Sequence, residues 1–142
     1  MTKQMFEELL IRRTSSLDGY LGIDLVEINE EAAVLTMPVT EKIHQAGGVV
    51  HGGIYLVLAE SAAGVHAAYL ADLEEYFPVG IENSASHVRS ARDGHLRATA
   101  SLVRRSRSFT VHEVKVEHEE SGGLLSTARV THYYRPSRPA EE

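Results

Sequence analysis

The chain has 142 residues, 43% of them apolar, with a net charge of −6 and no cysteine. That length suits one domain with one sizeable core. The missing cysteines exclude disulfides, thiolate metal sites and a cysteine nucleophile, and the acidic balance argues against nucleic acid as the main partner. The first residues, MTKQMFEELLIRRTSS, thread acids and arginines through their apolar positions, so they do not read as a signal peptide. No apolar run approaches the roughly 20 residues that cross a bilayer. A cytoplasmic protein without a membrane partner is expected.

Residues 3–13 place Met5, Phe6, Leu9 and Leu10 on one helical stripe. Residues 20–28 and 32–39 read as two strands around the polar turn Asn29-Glu30-Glu31. Residues 40–50 read as a loop broken by Gly47 and Gly48. Residues 52–71 read as a long helix, small or apolar on almost every face, which marks an element buried on most sides. Four β-rich runs follow at 79–89, 95–105, 108–118 and 124–134. Their separators, Asp93-Gly94, Ser106-Arg107 and Ser121-Gly122-Gly123, suit hairpins or bulged connections. Residues 135–142 have the composition of a disordered tail, leaving 1–134 as a single domain. One long helix and about six strands joined by short turns predict an α+β fold, a curved antiparallel sheet with the helix in its concave face.

The segment 51–60, HGGIYLVLAE, carries the chemistry. Two glycines at a helix start present bare N–H groups at the positive end of the helix dipole, which suits a developing oxyanion at Gly52. Glu60 is a lone carboxylate among Leu58, Ala59, Ala62 and Ala63, costly unless it is paired, hydrogen-bonded or used. It is either a base or nucleophile, or a structural acceptor. The Gln45 amide can donate to a thioester oxygen, and His51 can cap the helix or transfer a proton. Gly64 lies one turn beyond Glu60; a mid-helix glycine costs about 1 kcal/mol against alanine, so it marks close approach by backbone or ligand.

Eight residues of helix rise about 12 Å, whereas a reacting carbonyl must lie about 3 Å from both oxyanion donor and base. Gly52 and Glu60 of one chain therefore cannot serve the same carbonyl. If both are catalytic, two antiparallel helices must meet across a two-fold axis, making the protein a homodimer at minimum. Between His87 and Arg107 lie six arginines (Arg89, Arg92, Arg97, Arg104, Arg105, Arg107) against one acid, Asp93. Such an island suits the phosphates of a small polyanion, or is a solvated strand face. The eight histidines form no H-x-x-x-H, and no G-x-S-x-G, G-x-G-x-x-G or Walker A pattern occurs, so neither a metal nor a cofactor is expected.

QAGGVVHGGIYLVLAESAAG (45–64) is similar to the helix of hotdog-fold acyl-CoA thioesterases of the PaaI-like and Arthrobacter-type 4-hydroxybenzoyl-CoA thioesterase group. VGIENSASHVRSARDG (79–94) resembles the strand motif of the 1,4-dihydroxy-2-naphthoyl-CoA hydrolases of menaquinone synthesis within that group. The resemblance spans about residues 17–134. It implies that Glu60 is the nucleophile or general base and that Gly52 supplies the oxyanion N–H with help from Gln45. It also implies that His87, Val88, Arg89 and Ser90 hold the CoA arm together with Arg105, Ser106 and Arg107. Where this chain has Gly64 the family commonly carries Ser or Thr, whose hydroxyl would position the water or the acyl ring. The implied reaction is hydrolysis of an aromatic acyl-CoA to the free acid and CoA by a homodimer, extended to a homotetramer, with no separate cofactor. A phenylacetyl-CoA or medium-chain thioesterase and a non-catalytic acyl-CoA-binding dimer are the alternatives.

Overall fold

Lys3–Arg13 form α1 in the computed structural model, which describes residues 3–137. Phe6 is the buried anchor of α1 and meets Tyr69 edge to face at 5.5 Å. A short helix α2 (Leu17–Leu21) follows where the sequence predicts the start of a strand. Its stop signal is Gly22 at φ 73°: the amides of Gly22 and Ile23 bond back to the carbonyls of Gly19 and Asp18 at 3.2 and 2.8 Å. The strand β1 therefore runs only from Asp24 to Ile28.

The turn to β2 (Ala32–Pro38) is held by Asn29, whose Oδ1 accepts from the amides of Glu31 and Ala32 at 2.8 and 3.1 Å. A 3₁₀ turn at Glu41–Ile43 and a bridge between His44 and Val50 shape the predicted loop. The long helix α3 spans Gly52–Leu70, followed by β3 (Tyr76–His87), β4 (His95–Arg105), β5 (Phe109–His118) and β6 (Leu124–Pro136).

All strand pairs are antiparallel, in the order β1-β2-β4-β5-β6-β3. β3 begins earlier than the sequence predicts despite Pro78. At the sheet edge, proline's missing N–H costs no ladder bond. Asp93-Gly94 is not a hairpin, because β3 lies at the sheet edge and β4 in its interior, so the chain crosses between them. Gly94, at φ 78°, turns the backbone into β4 and accepts from the Val39 amide at 2.8 Å. β6 runs through Pro136 and the Ser137 amide bonds to the Glu75 carbonyl at 2.8 Å, so the predicted tail is ordered at 135–137; 138–142 lie outside the described residues.

α3 lies against the inner face of the sheet. Ala59, Ala62, Ala63 and Ala67 are fully buried on its side, with Ala98, Ala100, Val114 and Val130 buried on the strands. Small residues on both surfaces bring helix and sheet close. The length and composition of α3 alone would suffice to cross a membrane, contrary to the sequence expectation, but half of it is buried within this domain as a core helix.

Three histidines without a periodic or motif signal in the sequence lie in the core, His66 on α3, His112 on β5 and His132 on β6. His66 Nε2 lies 2.9 Å from the Asn29 carbonyl, which can only accept, so Nε2 carries the proton. His66 Nδ1 then accepts from His112 Nε2–H at 2.7 Å, and both rings are neutral. Burial pulls His66 below the ordinary histidine value. It takes His132 to about 4 and, with the neighbouring histidines adding to it, His112 to about 3.

The unfolded chain takes up these protons below about pH 6.5, the folded chain only well below that. The stability tied to neutral burial is thus complete above about pH 6.5 and is lost as pH falls through the window down to the folded values, by about 1.4 kcal/mol per histidine per pH unit. The urea midpoint is expected to fall between about pH 7 and pH 5, and less steeply in His112→Phe. A flat wild-type profile would refute the neutral assignment.

Candidate active site

The first turn of α3 is built around His51. With β-region backbone angles it is the N-cap, and its Nδ1 accepts from the Gly53 amide at 2.9 Å. The Ile54 amide donates to the His51 carbonyl at 2.9 Å. The Gly52 amide has no acceptor among the described residues, at the positive end of a 19-residue helix. His51 is thus a capping residue here, and it does not line the cavity beside Gly52.

That cavity, about 370 Å³, brings together Gln45, Gly52, His87, Val88, Arg89 and Ser90, six of the residues expected at the site. Val49, Val50 and Tyr55, not singled out in the sequence, complete its wall. The Gln45 side chain folds back so that Oε1 accepts from the Gly47 amide, which leaves its NH₂ group as the free donor. A Cβ at Gly52 would stand 2.9 Å from His87 Cδ2 and 3.2 Å from Nε2, so only glycine lets the imidazole lie against the helix start.

His87 is held from behind. Ser126, buried on β6, donates to the Ser86 carbonyl at 3.2 Å and therefore accepts from His87 Nδ1–H at 2.9 Å. The proton sits on Nδ1, and Nε2 faces Gly52 as an acceptor. Tyr55 packs its ring 5.2 Å from the imidazole and donates to the Arg89 carbonyl at 3.4 Å. Burial raises the pKa of its hydroxyl, so it stays protonated as a donor. The Arg89 guanidinium reaches the β5–β6 turn, where a Cβ at Gly123 would stand 2.6 Å from its Nη1.

Glu60 is on the exposed side of α3, not buried as its apolar neighbours suggest, and no described residue hydrogen-bonds to its side chain. It leans on β3: a Cβ at Gly80 would lie 2.9 Å from its Oε1. The mid-strand glycine in VGIEN was the available signal for this close approach. Beside Glu60 a groove of about 210 Å³ runs between α3 and β3, lined by Ser61, Gly64, Val65, Ala68, Phe77 and Pro78, with Leu9, Arg13 and Asp18 at its end. Arg13 pairs with Asp18 at 2.7 Å and Ser61 Oγ donates to Asp18 at 2.7 Å, which fixes that end.

Arg105, Ser106 and Arg107 are elsewhere. They line a separate cavity of about 460 Å³ with Ala71, Asp72, Glu75, Tyr76 and Tyr134, past the C-terminal end of α3. Gly52 begins that helix, about 28 Å away along its axis. Ser106 serves the β4–β5 turn, its Oγ accepting from the Phe109 amide at 3.1 Å. Arg97 is committed to Glu119 at 3.5 Å. The arginine island therefore does not form one surface within a protomer. His95, Glu119 and Glu120 come close enough to share a cation but are all exposed, and Glu120 is engaged by His95 at 2.6 Å, which holds its carboxyl down at about 2.

The thioesterase superfamily profile matches residues 47–125, from the loop before α3 to the start of β6. The 1,4-dihydroxy-2-naphthoyl-CoA hydrolase of Listeria monocytogenes is 38% identical over 115 residues, covering 81% of this chain and 92% of the relative. The Escherichia coli enzyme of the same name is 34% identical over 129 residues, covering 91% and 93%. A crystal structure of a variant of thioesterase PA1618 from Pseudomonas aeruginosa superposes with a TM-score of 0.87 at 30% identity, covering 93% of this chain and 94% of that one. With its six-stranded antiparallel sheet, its long helix and a free amide at the helix start, this chain belongs to the thioesterase superfamily of hotdog-fold thioester hydrolases.

Proposed function

We propose that the protein hydrolyses aromatic acyl-CoA thioesters of the dihydroxynaphthoyl or hydroxybenzoyl kind, at a site completed by a second copy of the chain. The observation that carries this is the separation of the two halves of the chemistry. The free Gly52 amide lies over the Gln45 and His87 cavity, while Glu60 faces outward two helical turns away. Next to Glu60, α3 presents half-buried Leu56 and Val57, and the sheet ends at β3, where Ile81 is 55% exposed. An uncapped twelve-residue edge strand is a template for pairing. Antiparallel pairing of two β3 edges would bring the Glu60 of each copy toward the Gly52 of the other.

In that arrangement the thioester oxygen accepts from the Gly52 N–H and the Gln45 NH₂, which stabilise the charge that develops on it. Glu60 of the second copy either attacks the carbonyl carbon, expelling the CoA thiolate and leaving an anhydride that water opens, or removes a proton from the water that attacks directly. Either route consumes one water and yields the acid and CoA. The names of the relatives support the aryl substrate. A panel of aryl- and alkyl-CoA thioesters ranked by kcat/KM tests it, and a preference for phenylacetyl or medium-chain thioesters would overturn the substrate assignment.

Arg89 is assigned to the CoA phosphates, since arginine matches phosphate geometry and this one stands exposed at the cavity rim. Arg89→Ala is expected to raise KM for a full CoA thioester far more than for its truncated pantetheine counterpart, which lacks the phosphates. Added salt should weaken wild-type binding more than that of the variant. Equal losses on both substrates would make Arg89 part of the framework instead.

A further inference from the structure

Two glycines expose neighbouring points between α3 and the sheet. A Cβ at Gly80 would meet Glu60 Oε1 at 2.9 Å, and one at Gly64 would meet His132 Nε2 at 3.1 Å. Gly80 and His132 are direct partners across β3 and β6. Glu60 and Gly64 stand one turn apart on one face of α3. The four form a single patch, with the carboxylate and the imidazole at its two ends and the groove beside Glu60 opening over Gly64.

His132 is 4% exposed, yet neither ring nitrogen bonds to a described residue, which is unusual for a core histidine serving structure alone. Its cross-strand partner Thr110 is fully buried with an unpartnered hydroxyl. Nε2 faces the gap that Gly64 leaves in the helix, and the neutral ring can carry its proton there.

We propose that His132 selects acyl groups bearing a ring hydroxyl, its Nε2–H donating to that hydroxyl through the opening left by Gly64. The inference rests on the thioesterase reading above. Glu60 and Gly64 are separated by a rise of about 6 Å, which suits the thioester carbon and the distal hydroxyl of one aryl ring. A larger residue at 64 would close the opening, so the glycine and the histidine work as a pair.

The test is kcat/KM for 4-hydroxybenzoyl-CoA against benzoyl-CoA. Wild type is expected to favour the hydroxylated thioester by about tenfold, the worth of one neutral hydrogen bond. His132→Leu should erase that preference. His132→Gln, whose amide reaches the Nε2 position, should keep it, while His132→Asn, which reaches only Nδ1, should lose it. The Gln and Asn pair gives the answer if the Leu variant does not fold. A wild type with no hydroxyl preference, or a ratio unchanged in Leu and Asn, overturns the role of His132 while leaving the aryl thioesterase reading intact. Turnover of alkyl thioesters with neither aryl thioester hydrolysed overturns both.

Discussion

Glu60→Gln is expected to lower kcat by about 10²–10⁴-fold on every thioester the enzyme accepts, the range for a lost base or nucleophile. KM should change little. The size of this effect can be separated from any effect on folding because of where the residue sits. Glu60 is exposed, no described residue bonds to its side chain, and the glycine at 80 leaves it room. The fold of one protomer loses no partner when the charge is removed, so its stability should stay within about 0.5 kcal/mol. A single turnover in heavy-oxygen water bears on the two roles. Unlabelled acid in the first turnover, with the label left in Glu60, identifies a nucleophile whose own carboxyl carbon takes the water, whereas labelled acid from the start is the result for a general base or for water attack on the acyl carbon of an anhydride. Near wild-type turnover by Glu60→Gln would end the assignment of this residue.

The fold was largely legible because its elements are long and regular. The all-round apolar pattern of 52–71 matches α3 to within one residue, and the runs 95–105, 108–118 and 124–134 match β4 to β6 closely. α2 was not legible: five residues are too few for periodicity to show, and only the left-handed Gly22 marks its end. The crossing from β3 to β4 was hidden by a local cue, since Asp93-Gly94 reads as a hairpin turn whatever the strands on either side pair with.

The site was legible where its residues share a local motif. Gln45, Gly52 and the run from His87 to Ser90 meet in one cavity. Arg105 to Arg107 are near that run in sequence but far from it in space, because the eleven residues of β4 carry the chain about 35 Å along the sheet. Glu60 shows a different limit. Its apolar neighbours argue for burial, but no described residue of the same protomer buries it. In the dimer proposed above, a second copy would cover this face of α3.

Gly52→Val is the complementary lesion. Its Cβ would stand 2.9 Å from His87 Cδ2, so the imidazole must move away from the helix start and the donors no longer converge on the thioester oxygen. A loss of about 10²–10³-fold in kcat is expected, the usual cost of one oxyanion donor. If, as proposed, every site takes its oxyanion donor from one chain and its carboxylate from the other, each lesion alone spoils both sites of a symmetric dimer. Mixing Gly52→Val with Glu60→Ala changes that. In each hybrid dimer one site receives an intact Gly52 from the Glu60→Ala chain and an intact Glu60 from the Gly52→Val chain, while the other site receives both lesions. Equal mixing with free exchange makes half the dimers hybrid and one site in two functional within them, so about a quarter of wild-type activity should return. Two nearly dead proteins would then yield an active mixture without either being repaired. A site contained in one protomer predicts no recovery, and silence from hybrids verified by mass would show that Gly52 and Glu60 do not act on the same carbonyl across the two-fold axis.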